Sequence, residues 1–199
     1  YVADHGVFKG VAVIDGATHA WRYIQSTHPG LVLLDAYGVT VDARRNRIYA
    51  TGISQGRIVL IDGATDTIVG ATDIHRDDGS RVPLRVIAVN PDVGAYGHLW
   101  AVTSEEDGGQ NQVLLIPVSP MGTLRPVPLD LPSYPLEGIA LDPTTNRVWV
   151  TSIRSGQVTV AQDGVPVCGE EEEPPPPPPS FCAPQWVATV DAGPSPYGV

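Results

Sequence analysis

Acidic side chains in two loop-like segments are the residues of this chain whose type and spacing fit ligand chemistry most directly. Residues 75–78 (His-Arg-Asp-Asp) end in two adjacent carboxylates, and residues 105–109 (Glu-Glu-Asp-Gly-Gly) place three carboxylates before two glycines. Carboxylate oxygens are ligands that Ca²⁺ prefers. A calcium site is one hypothesis for each segment, and a solvated charged loop is the other. The candidate ligands are Asp77, Asp78, Glu105, Glu106 and Asp107, and no other cofactor is expected.

The five histidines do not show the spacing of a metal site. No two stand four residues apart, and they fall in different segments, so we expect each to be exposed to solvent. Loops of separate segments could still bring them together. The sequence contains no nucleophile elbow, phosphate loop, haem-attachment or zinc-protease motif. The sequence therefore favours a non-enzymatic protein but leaves an enzyme open, and it predicts no catalytic residue. The histidines are His5, His19, His28, His75 and His98.

The two cysteines, Cys168 and Cys182, bracket an unusual segment, and we predict that a disulfide closes this segment at its neck. Closing a loop of this length contributes about 3 kcal/mol in the chain-entropy model. A disulfide indicates an oxidising compartment, namely the periplasm, the cell surface or the medium. Free thiols or a metal pair are the alternatives, although two cysteines alone are too few for a zinc site.

Between the cysteines lies a run of four glutamates followed by six prolines. Consecutive prolines favour a stiff, extended polyproline II conformation, and adjacent glutamates repel one another and stay solvated. The segment is either an exposed loop or an interaction arm that docks on a protein neighbour through its proline faces. The residues of this arm are Glu170, Glu171, Glu172, Glu173, Pro174, Pro175, Pro176, Pro177, Pro178 and Pro179.

The sequence contains internal repeats, and the strands of these repeats must position the segments described above. Residues 46–49 (Asn-Arg-Ile-Tyr) return as residues 146–149 (Asn-Arg-Val-Trp), and residues 14–18 (Ile-Asp-Gly-Ala-Thr) return as residues 61–65. Aromatic anchors recur at intervals of about 50 residues, which is typical of a propeller or solenoid. These anchors are Tyr1, Tyr49, Trp100 and Trp149.

Each repeat predicts a meander of four short strands, because β-branched runs alternate with Gly, Asn and Asp turns. One such sheet cannot bury both of its faces, whereas sheets stacked around an axis can. The fold class is therefore all-β, a β-propeller of about four four-stranded antiparallel blades. We expect the anchors on the second strand of each blade, packed between blades. The recurrent Asp15, Asp42, Asp62 and Asp142 are expected to shape turns.

We predict one domain over residues 1–199. Its repeats cover approximately residues 1–35, 36–82, 83–135 and 136–193, and a further repeat starts at residues 194–199. The insertion is the segment 168–182. Residues 197–199 (Tyr-Gly-Val) match residues 37–39, so the last residues belong to the repeat that the first residues begin. Ring closure, a cut from a longer chain, and a strand supplied by another copy are the alternatives.

This pattern resembles the YVTN family of β-propeller repeats. Residues 138–151 (Gly-Ile-Ala-Leu-Asp-Pro-Thr-Thr-Asn-Arg-Val-Trp-Val-Thr) follow its Gly-Val strand, Asp-Pro-x-Thr-Asn-Arg turn and Tyr-Val-Thr-Asn strand, and residues 1–4 and 49–52 match more loosely. The resemblance covers nearly the whole chain apart from insertions at 76–82, 104–111 and 166–184. It implies a prokaryotic surface or periplasmic propeller. Similar propellers also form parts of quinoprotein dehydrogenases, copper reductases and lyases.

The charge of the chain narrows the range of partners. The formal net charge is −10, and Lys9 is the single lysine. An acidic surface repels nucleic-acid phosphates and anionic membranes, so neither is expected as a partner. No stretch is long and apolar enough to span a bilayer. The sequence therefore predicts a non-enzymatic extracellular or periplasmic module that binds protein partners or copies of itself, with assembly into a surface layer or fibre. A propeller domain or subunit of a periplasmic enzyme is the alternative.

Overall fold

The computed structural model describes residues 1–6, 10–24, 30–33, 35–76, 78–94, 96–103, 112–118, 127–129, 136–153, 155–164 and 184–193. All of the regular structure in these residues is β-strand, as the sequence predicts. Among these residues there is no helix that is long and apolar enough to cross a membrane.

Fifteen strands follow one another in the described part of the chain. They are β1 (Val2–Ala3), β2 (Val11–Ile14), β3 (Trp21–Tyr23), β4 (Ala36–Asp42), β5 (Arg47–Gly52), β6 (Arg57–Asp62), β7 (Thr67–Asp73), β8 (Leu84–Asn90), β9 (His98–Thr103), β10 (Val113–Pro117), β11 (Val127–Leu129), β12 (Leu136–Asp142), β13 (Arg147–Ser152), β14 (Gln157–Gln162) and β15 (Gln185–Asp191).

The strands form four antiparallel sheets in chain order, which we call blades 1 to 4. Blade 1 consists of β1–β3, blade 2 of β4–β7, blade 3 of β8–β11 and blade 4 of β12–β15. The anchors Tyr49, Trp100 and Trp149 lie on β5, β9 and β13, the second strands of their blades, which confirms the expectation. Tyr1 directly precedes β1, so β1 corresponds to a second strand, and blade 1 has three strands among the described residues.

The turns between strands follow from the recurrent aspartates. The Asp62 carboxylate accepts hydrogen bonds from the backbone N–H groups of Ala64 and Thr65, at 2.9 and 3.2 Å. Bonds from backbone N–H groups also reach Asp15, Asp42 and Asp142 within three residues, which confirms the turn-shaping role. Because a donor favours the charged carboxylate, the Thr18 N–H lowers the pKa of Asp15 and the Ala64 N–H lowers the pKa of Asp62. The pKa of Asp142 is lowered first by the hydroxyls of Thr144 and Thr145.

The core lies between blades rather than within them. Strand β4 packs beside β8, and β8 packs beside β12, so the first strands of blades 2 to 4 are innermost. Three apolar clusters join blade 1 to blade 2, blade 2 to blade 3, and blade 3 to blade 4. Tyr49 and Trp100 are buried in the second and third of these clusters, as expected for packing between blades. No cluster of described residues joins blade 4 to blade 1.

Candidate functional site

The acidic segments proposed for calcium fall largely outside the described residues. Asp77, Glu105, Glu106 and Asp107 lie there, whereas Asp78 is placed. Its carboxylate accepts bonds from the Ser80 hydroxyl at 2.6 Å and the Ser80 N–H at 2.8 Å, which lower the pKa of Asp78. Within the described part of the chain, no three His, Cys, Asp or Glu side chains come together as a metal site would require. The calcium hypothesis stays a prediction.

The disulfide and the interaction arm also stay predictions, because Cys168, Cys182 and residues 170–179 lie outside the described residues. The described strands β14 and β15 on either side of this segment pair in blade 4, and β14 ends at the end of the blade where the turn from β12 to β13 lies. We call this end of all blades the turn end.

The histidines are exposed where they are described, with one exception. His5, His19 and His75 are exposed, and His28 lies outside the described residues. The expectation is wrong for His98, which lies between blades 3 and 4 with Nδ1 2.8 Å from Oδ1 of Asp163.

Asp163 is a buried carboxylate at the turn end of the interface between blades 3 and 4, and only 1% of it is exposed. Its Oδ2 accepts bonds from Trp100 Nε1 at 2.8 Å and from Asn90 Nδ2 at 3.0 Å. Three side chains of blade 3 therefore hold one carboxylate of blade 4. A buried charged group requires hydrogen-bond partners of this kind. We interpret Asp163, Asn90, His98 and Trp100 as a structural contact that holds the two blades together, because the shared carboxylate is closed to solvent. We call these four residues the latch.

Sequence reasoning missed this latch, although a signal was present. The equivalent positions of blades 1, 2 and 3 carry Gly16, Gly63 and Val118, so Asp163 breaks the repeat. In blade 2 there is no room for a side chain, since a Cβ on Gly63 would lie 2.3 Å from Asn46 Oδ1. The signal in the sequence was an ionisable residue at a position that is small or apolar in the other three repeats.

At the opposite end, a polar row runs along the starts of the innermost strands. Tyr37, Arg85 and Glu137 occupy equivalent positions on β4, β8 and β12, each at an irregularity in the strand register. Such bulges re-aim side chains and are common beside functional sites. Arg85 Nη1 lies 2.7 Å from Glu137 Oε1, and the Arg85 guanidinium lies 5.1 Å from the centre of the Tyr37 ring. His5 meets the Tyr37 ring edge-on at 5.5 Å. We call these four residues the axial row.

A cavity of about 580 Å³ lies at the turn end of blades 2 to 4. It is lined by β4, β8 and β12 and by Arg44 and Asp92, whose side chains form an ion pair at 2.5 Å. Both side chains are largely exposed, so the pair is screened by solvent and contributes little to stability.

The face of blade 1 that points away from blade 2 is apolar and uncovered. We call it the outward face of blade 1. Its residues Val2, Ile14 and Trp21 are 46%, 48% and 62% exposed. By strand register, they correspond to residues of blade 2 that are 0%, 0% and 5% exposed, namely Ala50, Ile61 and Ile68. Blade 1 covers those residues in blade 2, and no described residue covers their counterparts in blade 1.

Comparisons with known proteins support the fold of this chain but do not assign it to a family. No protein-family model matches the chain, and no curated protein matches it. Solved structures do match. Hydrazine synthase of Kuenenia stuttgartiensis aligns with 76% of this chain at 20% identity and a TM-score of 0.57. The β-propeller domain of Cps50 (Swd1) from Myceliophteria thermophila aligns with 75% at 12% identity and a TM-score of 0.50. The dihydro-heme d1 dehydrogenase NirN, in complex with DHE, aligns with 79% at 12% identity and a TM-score of 0.52.

This chain spans less than half of each of those proteins, at 45%, 44% and 28% of their lengths. At such identities the likeness shows the fold alone, which is a β-propeller.

Proposed function

We propose that this chain is a non-enzymatic protein-interaction module of an extracellular, cell-surface or periplasmic β-propeller protein of the YVTN type. The observation that carries the proposal is the outward face of blade 1. Its three large apolar side chains are about half exposed or more, at positions that are buried in the neighbouring blade. Large exposed apolar patches mark interaction sites more often than chance.

The residues of this face are large and apolar. Blade 1 carries Trp21 where blade 2 has Ile68, and Val2 where blade 2 has Ala50. Two of the three exposed residues are thus larger than their buried counterparts, and Ile14 is the same residue type as Ile61. Burying them against a protein partner gains about 25 cal/mol per Å² of apolar area.

The polar groups of the described residues are mostly engaged in holding the blades. Asp163 bonds His98 and Trp100 between blades 3 and 4, and the Arg57 guanidinium bonds both oxygens of Asp73. The bond from Arg57 lowers the pKa of Asp73, so this carboxylate stays charged at neutral pH. These pairings favour a structural and binding role over acid–base catalysis.

The proposed location and assembly rest on the sequence. The cysteine pair supports an oxidising compartment if it forms a disulfide, and the net charge of −10 fits a soluble acidic surface. The proline arm supports docking on a protein neighbour, because the cost of ordering it is recovered through contacts. Together they support a module that assembles with other proteins or with copies of itself.

Hydroxyl-radical footprinting of the protein in its native assembly, compared with the purified protein, tests the proposal. We expect Trp21 to be labelled in the purified protein and protected in the native assembly. Tyr96, which is 42% exposed on a turn of blade 3, serves as the control and should react equally in both. Equal labelling of Trp21 in both samples, or protection already in the purified monomer, would contradict the proposal.

A second candidate is a propeller domain of a periplasmic enzyme, and the axial row favours it. A guanidinium, a carboxylate, a phenol and an imidazole from three blades and the start of blade 1 lie in one row. Native mass spectrometry of protein purified from its source tests this candidate. A bound small molecule that is lost in Glu137→Gln and kept in Asp92→Asn would replace the first proposal. Retention of the same mass in both variants, or no bound mass, would count against the enzyme.

A further inference from the structure

We propose that the axial row binds a neutral sugar through adjacent hydroxyl groups, with Arg85 as the donor and Glu137 as the acceptor. This inference rests on the second candidate of the proposed function only in taking the row as a binding site, and it requires no reaction. The apolar side chains of the outward face of blade 1 take no part in it.

The row brings different polar groups to one position of the repeat. Gly38 follows the row on β4, and a Cβ on this residue would lie 2.6 Å from the Arg85 carbonyl oxygen, so β4 and β8 are in close contact there. One position before this contact the three blades carry a phenol, a guanidinium and a carboxylate, as Tyr37, Arg85 and Glu137. The register irregularity at each of these residues re-aims its side chain. The row is therefore a mixed polar cluster and not one structural residue repeated in every blade.

Arg85 is the incompletely bonded member of the row. Its Nη1 donates to Glu137 Oε1 at 2.7 Å, and this is the single hydrogen bond of its guanidinium among the described residues. Its Nε is buried and has no acceptor. Arg57 shows the contrasting case, since its guanidinium donates to both oxygens of Asp73 and to two backbone carbonyl oxygens. Free donors on Arg85 indicate a place for an acceptor from outside the chain.

Neighbouring side chains hold the Arg85 guanidinium in place. Glu137 bonds it, the centre of the Tyr37 ring lies 5.1 Å from it, and His5 meets that ring edge-on at 5.5 Å. The side chains of Arg85 and Glu137 are each 24% exposed, so both groups can be reached from solvent. Because the donors are already oriented, little side-chain freedom is lost when a ligand binds.

The charges of the row favour a neutral ligand. The net charge of the chain is −10 and Glu137 stands beside Arg85, so an anion is repelled, while Arg85 repels a cation. A hydroxyl group both donates and accepts hydrogen bonds. One hydroxyl can accept from a free N–H of Arg85 while its neighbour donates to Glu137, and adjacent hydroxyls of this kind are the common feature of sugars. Hydrogen bonds to charged groups are stronger than neutral ones, which suits a ligand without charge.

Saturation-transfer NMR of the full chain tests the inference. The neutral probes are the methyl glycosides of D-glucose, D-mannose and D-galactose, and D-glucuronate is the anionic probe. We expect at least one glycoside to bind, and glucuronate to bind no more tightly. Glu137→Gln should weaken binding about tenfold or more, because a bond to a charged acceptor is lost. Asp92→Asn is the matched control, since it neutralises the acidic partner of an ion pair at the turn end, and it should bind like the natural chain.

Arg85→Lys is a second variant, with thermal unfolding of each variant as the check on folding. It keeps the positive charge but removes the fork of donors, so it should also weaken binding about tenfold. Failure of all three glycosides to bind the natural chain, tighter binding of glucuronate, or undiminished binding by either folded variant overturns the inference. If no glycoside binds while native mass spectrometry finds another bound molecule that is lost in Glu137→Gln, this inference fails and the second candidate stands. Labelling of Trp21 bears on the first proposal alone.

Discussion

Blades 1 and 2 have equivalent apolar faces, of which one is exposed and the other is buried. In blade 2, Ile61 and Ile68 are buried beneath blade 1, whereas their counterparts Ile14 and Trp21 in blade 1 lie open. The register that aligns them is the same antiparallel pairing of third and fourth strands. The difference therefore lies in the neighbour and not in the blade. A propeller blade is an element with two apolar faces whose stability depends on what stands on either side.

The largest expected effect tests this comparison with one substitution at two equivalent positions. Ile61→Ala removes a side chain that is fully buried between blades 1 and 2, and it should lower the free energy of unfolding by about 2–5 kcal/mol. Ile14→Ala makes the same change on the open face and should cost about 1 kcal/mol or less. Urea denaturation of both variants measures the difference. Equal losses would mean that blade 1 is already covered in the purified protein.

The interface between blades 3 and 4 sharpens the comparison, because it adds a polar latch to the apolar contact. Asp163→Ala leaves the donors of Trp100, Asn90 and His98 without their shared acceptor. We expect a loss of about 1–3 kcal/mol in the free energy of unfolding, measured by urea denaturation. Asp92→Ala, which removes an exposed ion pair with Arg44, serves as the control and should cost about 0–1 kcal/mol. A loss no larger than that of the control would refute the latch.

A smaller effect is expected from a pair of equivalent hydroxyls. Thr51→Val removes the bond to the Arg85 carbonyl oxygen of the next blade and should cost about 1 kcal/mol. Thr151→Val removes a buried hydroxyl that has no partner among the described residues, so it should be neutral or stabilising. Thermal unfolding at a concentration where the chain is monomeric compares the two. A clear loss of stability in Thr151→Val would show that its hydroxyl is already satisfied.

The smallest effect concerns the junction of blades 1 and 2 at alkaline pH. Burial, together with the bond that its hydroxyl donates to Asp66, raises the pKa of Tyr1 from 10.0 to about 12. Since folding favours the neutral phenol, its contribution to stability is fully present below pH 10 and is lost as the pH rises towards 12. Unfolding of the natural chain and of Tyr1→Phe, measured between pH 8 and pH 12 (about two units either side of 10), should differ most at the lower values. A difference that does not change with pH would contradict this account.

Much of the fold follows from the sequence, because local rules repeat in it. Alternation of β-branched runs with Gly, Asn and Asp predicts the strands, and Asp62 or Asp142 at a strand end predicts a turn. The spacing of Tyr49, Trp100 and Trp149 predicts one blade per repeat with the anchor on its second strand. These features depend on neighbours within one repeat, and the structure confirms them.

The candidate sites depend on contacts across repeats, which spacing does not encode. Tyr37, Arg85 and Glu137 stand about 50 residues apart and meet only because the first strands of three blades lie side by side. His98 was expected in solvent and is instead held by Asp163 of the next blade.

The sequence by itself determined the blade, its strand order and its two apolar faces, since these follow from turn chemistry and period-two patterning within about 50 residues. Only the tertiary structure decided which faces are buried. Burial is a property of two surfaces in contact, and Ile61 and Ile14 share residue type and register but differ in their neighbour.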